Sequence, residues 1–192
     1  LVMKKFIIVA VSNYGKEFDW TKHNIGKNFL LSFIPEKDFF ERKSYFVHDS
    51  TFENSNLSFI FTKTYMNITG KILKEYELCN MYQQKNSPIT IIIHDDLEIS
   101  FGKNKFRDHK DRGERGHNGL RSLTKELQIT LGDKYEKPFY FSLGIERPKD
   151  QTPVHSWVLT KFNNQEIEYL EKNCFKVAEE ELYNNIKKLI HN

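Results

Sequence analysis

The sequence predicts an α/β protein: a single-domain three-layer sandwich in which helices flank a twisted, mixed and mostly parallel sheet. Three observations carry this. Residues 5–11 (KFIIVAV) and 90–94 (TIIIH) are short apolar runs rich in β-branched residues, as expected of strands covered on both faces. Stretches with helical spacing of apolar residues alternate with such strands. No repeat, linker or low-complexity block divides the chain, so residues 1–192 are expected to form one domain.

Taken in order, the first strand ends in Ser12-Asn13-Tyr14-Gly15, a turn signal. Ile25, Phe29, Leu30 and Phe33 then share one helical face, which Pro35 closes. Strands are expected at residues 45–48 and 57–62, with polar turn residues between them. Residues 68–82 read as one helix with Ile72, Leu73, Tyr76 and Cys79 inward. The strand at 90–94 stops abruptly at two carboxylates, Asp95 and Asp96. Leu120, Leu123, Leu127 and Leu131 make an amphipathic stripe, with Asn118 placed to cap its start. Residues 139–145 are a further strand. Asn163 with Glu166 three residues on is a capping-box pattern. It opens a long helical stretch bearing Ile167, Leu170, Cys174, Val177, Leu182, Ile186 and Leu189, interrupted at most once.

Composition narrows the function classes. The longest unbroken apolar run, residues 6–11, is far below the ~20 residues of a membrane span, so no membrane partner is expected. A secretory leader pattern is missing, and two cysteines, Cys79 and Cys174, read as reduced core thiols rather than a disulfide framework. These features predict a cytoplasmic protein. The net charge of +3 is too small to establish a nucleic-acid partner by itself. Its distribution is more informative: between Gly102 and Gly116 lie six Lys/Arg against three acidic residues.

Reactive groups of an α/β sheet collect where strands end at their carboxyl edges. Three polar clusters are expected there: residues 12–23, 64–67 and 94–96. His23 can act as a base near neutral pH. At the start of a helix the dipole disfavours its imidazolium. Asp95 is placed to orient such an imidazole through the ring's other nitrogen. Asn13, Asn67 and Asn118 offer amides suited to holding a polar substrate and a water. His94 and His117 read equally well as packing or capping residues, and Asp96 as a turn-stabilising carboxylate. Serine-hydrolase elbows, Walker loops and Gly-x-Gly-x-x-Gly runs are missing. No His-Glu-x-x-His or Cys-x-x-Cys spacing fixes metal ligands, so no metal and no cofactor is expected.

The motifs resemble those of bacterial peptidyl-tRNA hydrolases. The stretch from Asn13-Tyr14-Gly15 to Thr21-Lys22-His23-Asn24-Ile25-Gly26 is similar to the first family motif. Thr64-Tyr65-Met66-Asn67 with Gly70, His94-Asp95-Asp96 with Gly102, Gly116-His117-Asn118-Gly119, and Leu143-Gly144-Ile145 follow in the same order. The resemblance implies hydrolysis of the ester joining a peptide to the terminal ribose of tRNA, by a monomer that needs no metal. It implies His23 as the base, Asp95 as its support, and Asn13, Tyr14, Phe18, Tyr65, Asn67, His117 and Asn118 around the substrate. Lys105 and Arg107 match basic positions and are implied as tRNA phosphate contacts.

Departures lie beside these positions. Ser12 and Tyr14 replace the Gly and Pro usual around Asn13, Lys22 replaces an arginine, and residues 110–115 replace a glycine-rich loop with a basic one. Phe141 and Ser142 stand where an arginine is common. Two other readings stay open on the sequence: a non-catalytic RNA-binding relative, and a metal-dependent hydrolase using the His94–Asp96 cluster.

Overall fold

A computed structural model describes residues 3–110 and 114–192 of the chain. Seven strands form one sheet in the order β2-β3-β4-β1-β5-β7-β6. They are β1 (Lys5–Ala10), β2 (Phe40–Glu41), β3 (Tyr45–Phe52), β4 (Ser55–Thr62), β5 (Ile89–Asp96), β6 (Asn104–Arg107) and β7 (Phe139–Gly144). The central ladders β4-β1, β1-β5 and β5-β7 are parallel, and both edges are antiparallel. The α/β expectation therefore holds, with a parallel centre inside antiparallel margins.

The sandwich follows from the period of two along the buried strands. Phe6, Ile8 and Ala10 of β1 point into one core with Ile91 and Ile93. Ile7, Val9 and Val11 point into the other with Ile92. Helices α1 (Ile25–Leu31) and α6 (Phe175–Ile190) cover the first face through Phe29, Leu30, Phe175, Leu182 and Ile186. Helices α2 (Tyr76–Gln83) and α3 (Asn118–Leu131) cover the second through Leu78, Tyr82, Leu120, Leu123 and Leu127. Each such side chain, fully buried, contributes about 1.5–3 kcal/mol.

The β3–β4 hairpin turns on two residues, Glu53 and Asn54, both with positive φ (45° and 60°), the backbone that matches the twist of paired strands. The capping box forms as expected: Asn163 Oδ1 accepts from the Glu166 amide at 2.8 Å, and Glu166 accepts from the Asn163 amide at 2.9 Å. It opens α5 (Asn164–Tyr169), which passes through a π-turn at Leu170–Cys174 into α6. That turn is the expected interruption. Beyond it Ala178 faces inward, and Val177, expected inside, is 52% exposed.

Two other expectations are corrected. Residues 68–82 are not one helix: a 3-10 segment, Met66–Lys74, is separated from α2 by Glu75 in extended backbone. Glu75 is drawn aside because its carboxylate accepts from the Ser44 hydroxyl at 2.6 Å. Gly70 lets the 3-10 segment lie against α3, where a Cβ would meet Ser122 O at 2.5 Å. The new phase turns Tyr76 outward and leaves Cys79 half-buried, while Leu78 and Tyr82 point in. The cap of α3 is His117, not Asn118: the His117 Nδ1 accepts from the Leu120 amide at 3.3 Å. Among the described residues, no helix is long and apolar enough to cross a membrane.

Candidate active site

The carboxyl ends of β1 and β5 are neighbours in the sheet, so the segments that follow them meet. Helix α1 packs closely over both strands at Gly26, where a Cβ would lie 3.3 Å from Ala10 and from Ile93. That approach brings His23, in the turn Lys22–Asn24 before α1, over the end of β5. Its backbone is fixed from the other side. The His23 amide donates to Val158 O at 2.8 Å and the Lys22 amide to Thr160 O at 3.0 Å. Lys22 is itself buried, with Nζ 4.1 Å above the Trp157 ring and donating to Thr160 Oγ1 at 2.9 Å. Burial lowers its pKa, against the raising effect of Glu166. The lysine that replaces the family's arginine therefore pins the wall made by α4 (Val154–Trp157) and the residues after it.

His23 Nδ1 lies 2.9 Å from Asp95 Oδ1, across 72 residues of chain. His117 Nε2 lies 2.8 Å from the same oxygen. A carboxylate oxygen accepts, so both rings donate. That leaves His23 Nε2 without a protein partner among the described residues, in a side chain that lines the cleft. The tautomer of His117 is fixed twice, because its Nδ1 accepts from the Leu120 amide. Burial alone would lower the His23 pKa, but the Asp95 charge and hydrogen bond outweigh it and hold the imidazole above its usual value. The carboxylate therefore acts against the helix dipole, which disfavours the imidazolium. Burial alone would raise the Asp95 carboxyl; the two imidazoles outweigh it and hold the group well below the usual carboxylate range.

Asn13 is aimed by three clamps. Its amide donates to Asn24 Oδ1 at 2.8 Å, its carbonyl accepts from Asn24 Nδ2 at 3.0 Å, and its Oδ1 accepts from the Met66 amide at 2.6 Å. The side-chain NH2 is what remains for the cleft. Ser12 is held against Thr62 through backbone and hydroxyl bonds. The altered residues around Asn13 therefore sit in a turn whose aim is set by Asn24 and Met66. Asn24, fully buried, was missed as a functional residue. Its one signal is a polar residue adjoining the histidine.

Asn13, Phe18, His23, Asn67, Asp95, His117 and Asn118 all line one open cleft of about 1130 Å³. Asn67 and Asn118 are exposed there, free to meet a substrate. Met66, Arg115, Arg147 and His155 also line it and were not anticipated. Tyr14 and Tyr65 do not: they are exposed (47% and 59%) and line a separate groove behind the Asn13–Thr64 bridge.

The two basic candidates part company. Lys105 is exposed on the edge strand β6. The Arg107 side chain is 7% exposed and ion-paired with Asp96, and it donates to Ser142 Oγ at 2.8 Å. A guanidinium so engaged is not offered to a phosphate, which corrects the expectation for Arg107. Ser142 in turn lies 2.8 Å from His94 Nε2, and His94 Nδ1 donates to Asp95 O at 2.8 Å. His94 is thus a buried structural residue beneath the site. Asp96 also accepts from the Glu98 amide at 2.9 Å, the turn role expected of it. The basic loop at 110–115 lies in part outside the described residues, at positions 111–113.

Among the described residues, the side chains that could hold a metal are His23, Asp95 and His117, whose ligand atoms lie within 4.8 Å of one another. This is a different set from the His94–Asp96 cluster, where His94 is committed to Asp95 O and Ser142. In the geometry present, both imidazoles spend a hydrogen on one carboxylate oxygen, which leaves His23 Nε2 facing the cleft.

Comparison with known proteins gives one consistent result. A sequence model described as peptidyl-tRNA hydrolase matches residues 7–191. The peptidyl-tRNA hydrolase of Rickettsia canadensis (strain McKiel) is 30% identical over 183 residues, covering 89% of this chain and 88% of that protein. That of Clostridium perfringens (strain ATCC 13124) is 31% identical over 170 residues, covering 86% and 83%. A crystal structure of the Acinetobacter baumannii enzyme superposes with a TM-score of 0.67, at 19% identity, over 97% of this chain and 91% of that one, a likeness of fold.

Proposed function

The chain belongs to the peptidyl-tRNA hydrolase family, and on that premise we propose how it cleaves the ester between a peptide and the terminal ribose of tRNA. His23 Nε2 takes a proton from water as the oxygen attacks the ester carbonyl. Asp95 supports the imidazolium that forms, and the His117 bond keeps Asp95 aimed at His23. The Asn13 NH2, with Asn67 and Asn118, holds the peptide end and the charge developing on the carbonyl oxygen. The proton then passes from His23 to the departing ribose oxygen as the carbon–oxygen bond breaks, giving free peptide and tRNA. No metal is required in this reading, because an aminoacyl ester is activated and a positioned base suffices.

The observation that carries it is the His23–Asp95 hydrogen bond at the floor of an open cleft, with the oxygen of Asn13 pinned beside it. We read the protein as a monomer, and a cytoplasmic setting fits the substrate. The test is release of peptide from a peptidyl-tRNA by purified protein in excess chelator. Release supports the reading. Cleavage abolished by chelation assigns a metal to His23, Asp95 and His117. Binding of tRNA with no cleavage makes the chain a non-catalytic RNA-binding relative.

Lys105 remains the proposed phosphate contact. Lys105→Ala is expected to reduce the slope of log affinity against log salt for tRNA by roughly one unit. Replacing the buried pair together, Asp96→Leu/Arg107→Met, is expected to leave that slope unchanged, since the guanidinium is already engaged inside. Equal slopes in wild type and Lys105→Ala would remove Lys105 from the interface.

A further inference from the structure

Behind the wall that carries Asn13 runs a second groove of about 550 Å³, whose lining includes Tyr14, Tyr65, Lys43, Lys63, Lys71 and Lys74. It adjoins the cleft directly. The Asn13–Thr64 bridge and the Tyr14 amide bond to Thr64 O (3.0 Å) form the shared wall. Phe18, which lines the cleft, meets Tyr65, which lines the groove, edge to face at 6.2 Å. We infer that this groove is the outer subsite for the peptide half of the substrate and that it favours peptides with acidic side chains; the inference rests on the hydrolase reading above.

Charge points to an anionic occupant. Four lysines face one lining carboxylate, Glu75, which is occupied by the Ser44 hydroxyl at 2.6 Å. Lys63 is paired with Glu41, but Lys43, Lys71 and Lys74 are exposed and carry no ion pair among the described residues. Between them lie the exposed apolar surfaces of Tyr65 and Ile68. A floor that is apolar under a rim of lysines matches a peptide carrying carboxylates.

RNA fits less well. A platform for single-stranded RNA needs open aromatic faces and favours the fork of arginine. Here the Tyr14 ring lies under Lys63 Nζ, 5.3 Å from its centroid, and Tyr65 is engaged with Phe18. Among the described residues the groove lining has no arginine, whereas Arg115 and Arg147 line the cleft. An extended chain advances ~3.3 Å per residue, so a peptide that crosses the shared wall places in the groove residues beyond those next to the ester.

The test compares two substrates built on one tRNA, with the same two glycines next to the ester and then a run of either glutamates or lysines. Wild-type protein is expected to cleave the glutamate substrate with kcat/KM about five- to tenfold above the lysine one at low ionic strength, a ratio that shrinks with salt. Lys71→Gln/Lys74→Gln should bring the ratio near one, and Lys71→Glu/Lys74→Glu should invert it. A ratio equal in all three proteins, with cleavage intact, overturns the subsite and leaves the hydrolase reading standing. A uniform fall on both substrates, with weaker binding of uncharged tRNA, also overturns it and assigns the groove to RNA. Cleavage of neither substrate by wild type refutes the hydrolase reading itself.

Discussion

Replacing His23 by alanine is expected to lower kcat/KM for peptidyl-tRNA by about 10²–10⁴-fold, the usual worth of a positioned general base. Binding of uncharged tRNA should persist, because the exposed Lys105 and the arginines of the cleft are untouched. The loss should appear chiefly in kcat, since a base acts on the transition state rather than on the bound ester. The fold should survive, because the His23 side chain is 14% exposed and sits at a cleft wall, outside both cores. The paired measurement is single-turnover cleavage beside filter binding. A variant that cleaves at the wild-type rate removes His23 from the base role; one that no longer binds tRNA makes the residue structural.

The largest effect on stability is expected one position beyond Asp95. Asp96→Ala leaves the Arg107 guanidinium buried without its carboxylate, and its Nε already has no hydrogen-bond partner among the described residues. Breaking a buried pair by removing one partner costs about 3–5 kcal/mol, while replacing both with apolar residues of similar volume is often neutral. Urea unfolding should therefore show Asp96→Ala losing several kcal/mol and Asp96→Leu/Arg107→Met losing much less. Equal losses in the two variants would show that the pair ties β6 to the end of β5 by its charges rather than merely filling the space. The comparison also bears on function, because Ser142 and His94 connect this pair to the backbone of Asp95.

Much of this was legible in the residues. The alternation in β1 that feeds two cores is a local pattern, and so is the Asn163–Glu166 cap. The meeting of residues 13, 23, 67 and 95 follows from strands ending at one edge of a sheet. Other features depend on contacts that no local period encodes. Asn24 looks like any turn residue until its amide is found clamping Asn13. His117 reads as a packing or capping residue, and only the fold shows that while one nitrogen caps α3 the other meets Asp95. Arg107 sits in a basic stretch of an edge strand, yet the Asp96 carboxylate, 11 residues away, draws it inward. Tyr14 and Tyr65 adjoin Asn13 and Met66 of the cleft in sequence and fall on the far side of the wall, because backbone direction, not proximity in the chain, decides which cavity a side chain enters.

The claim at the centre is that a neutral His23, its proton affinity raised by Asp95, abstracts the proton from water. The pH dependence of kcat/KM in wild type and Asp95→Asn tests it most directly. The base works only when deprotonated, so activity should fall as pH drops through the raised pKa, placing the wild-type acid limb above the ordinary imidazole value of 6.5. Asp95→Asn removes the charge and leaves burial, so the limb should move below 6.5 while the plateau falls. An acid limb at the same pH in both proteins would contradict the pairing of imidazole and carboxylate on which the mechanism stands.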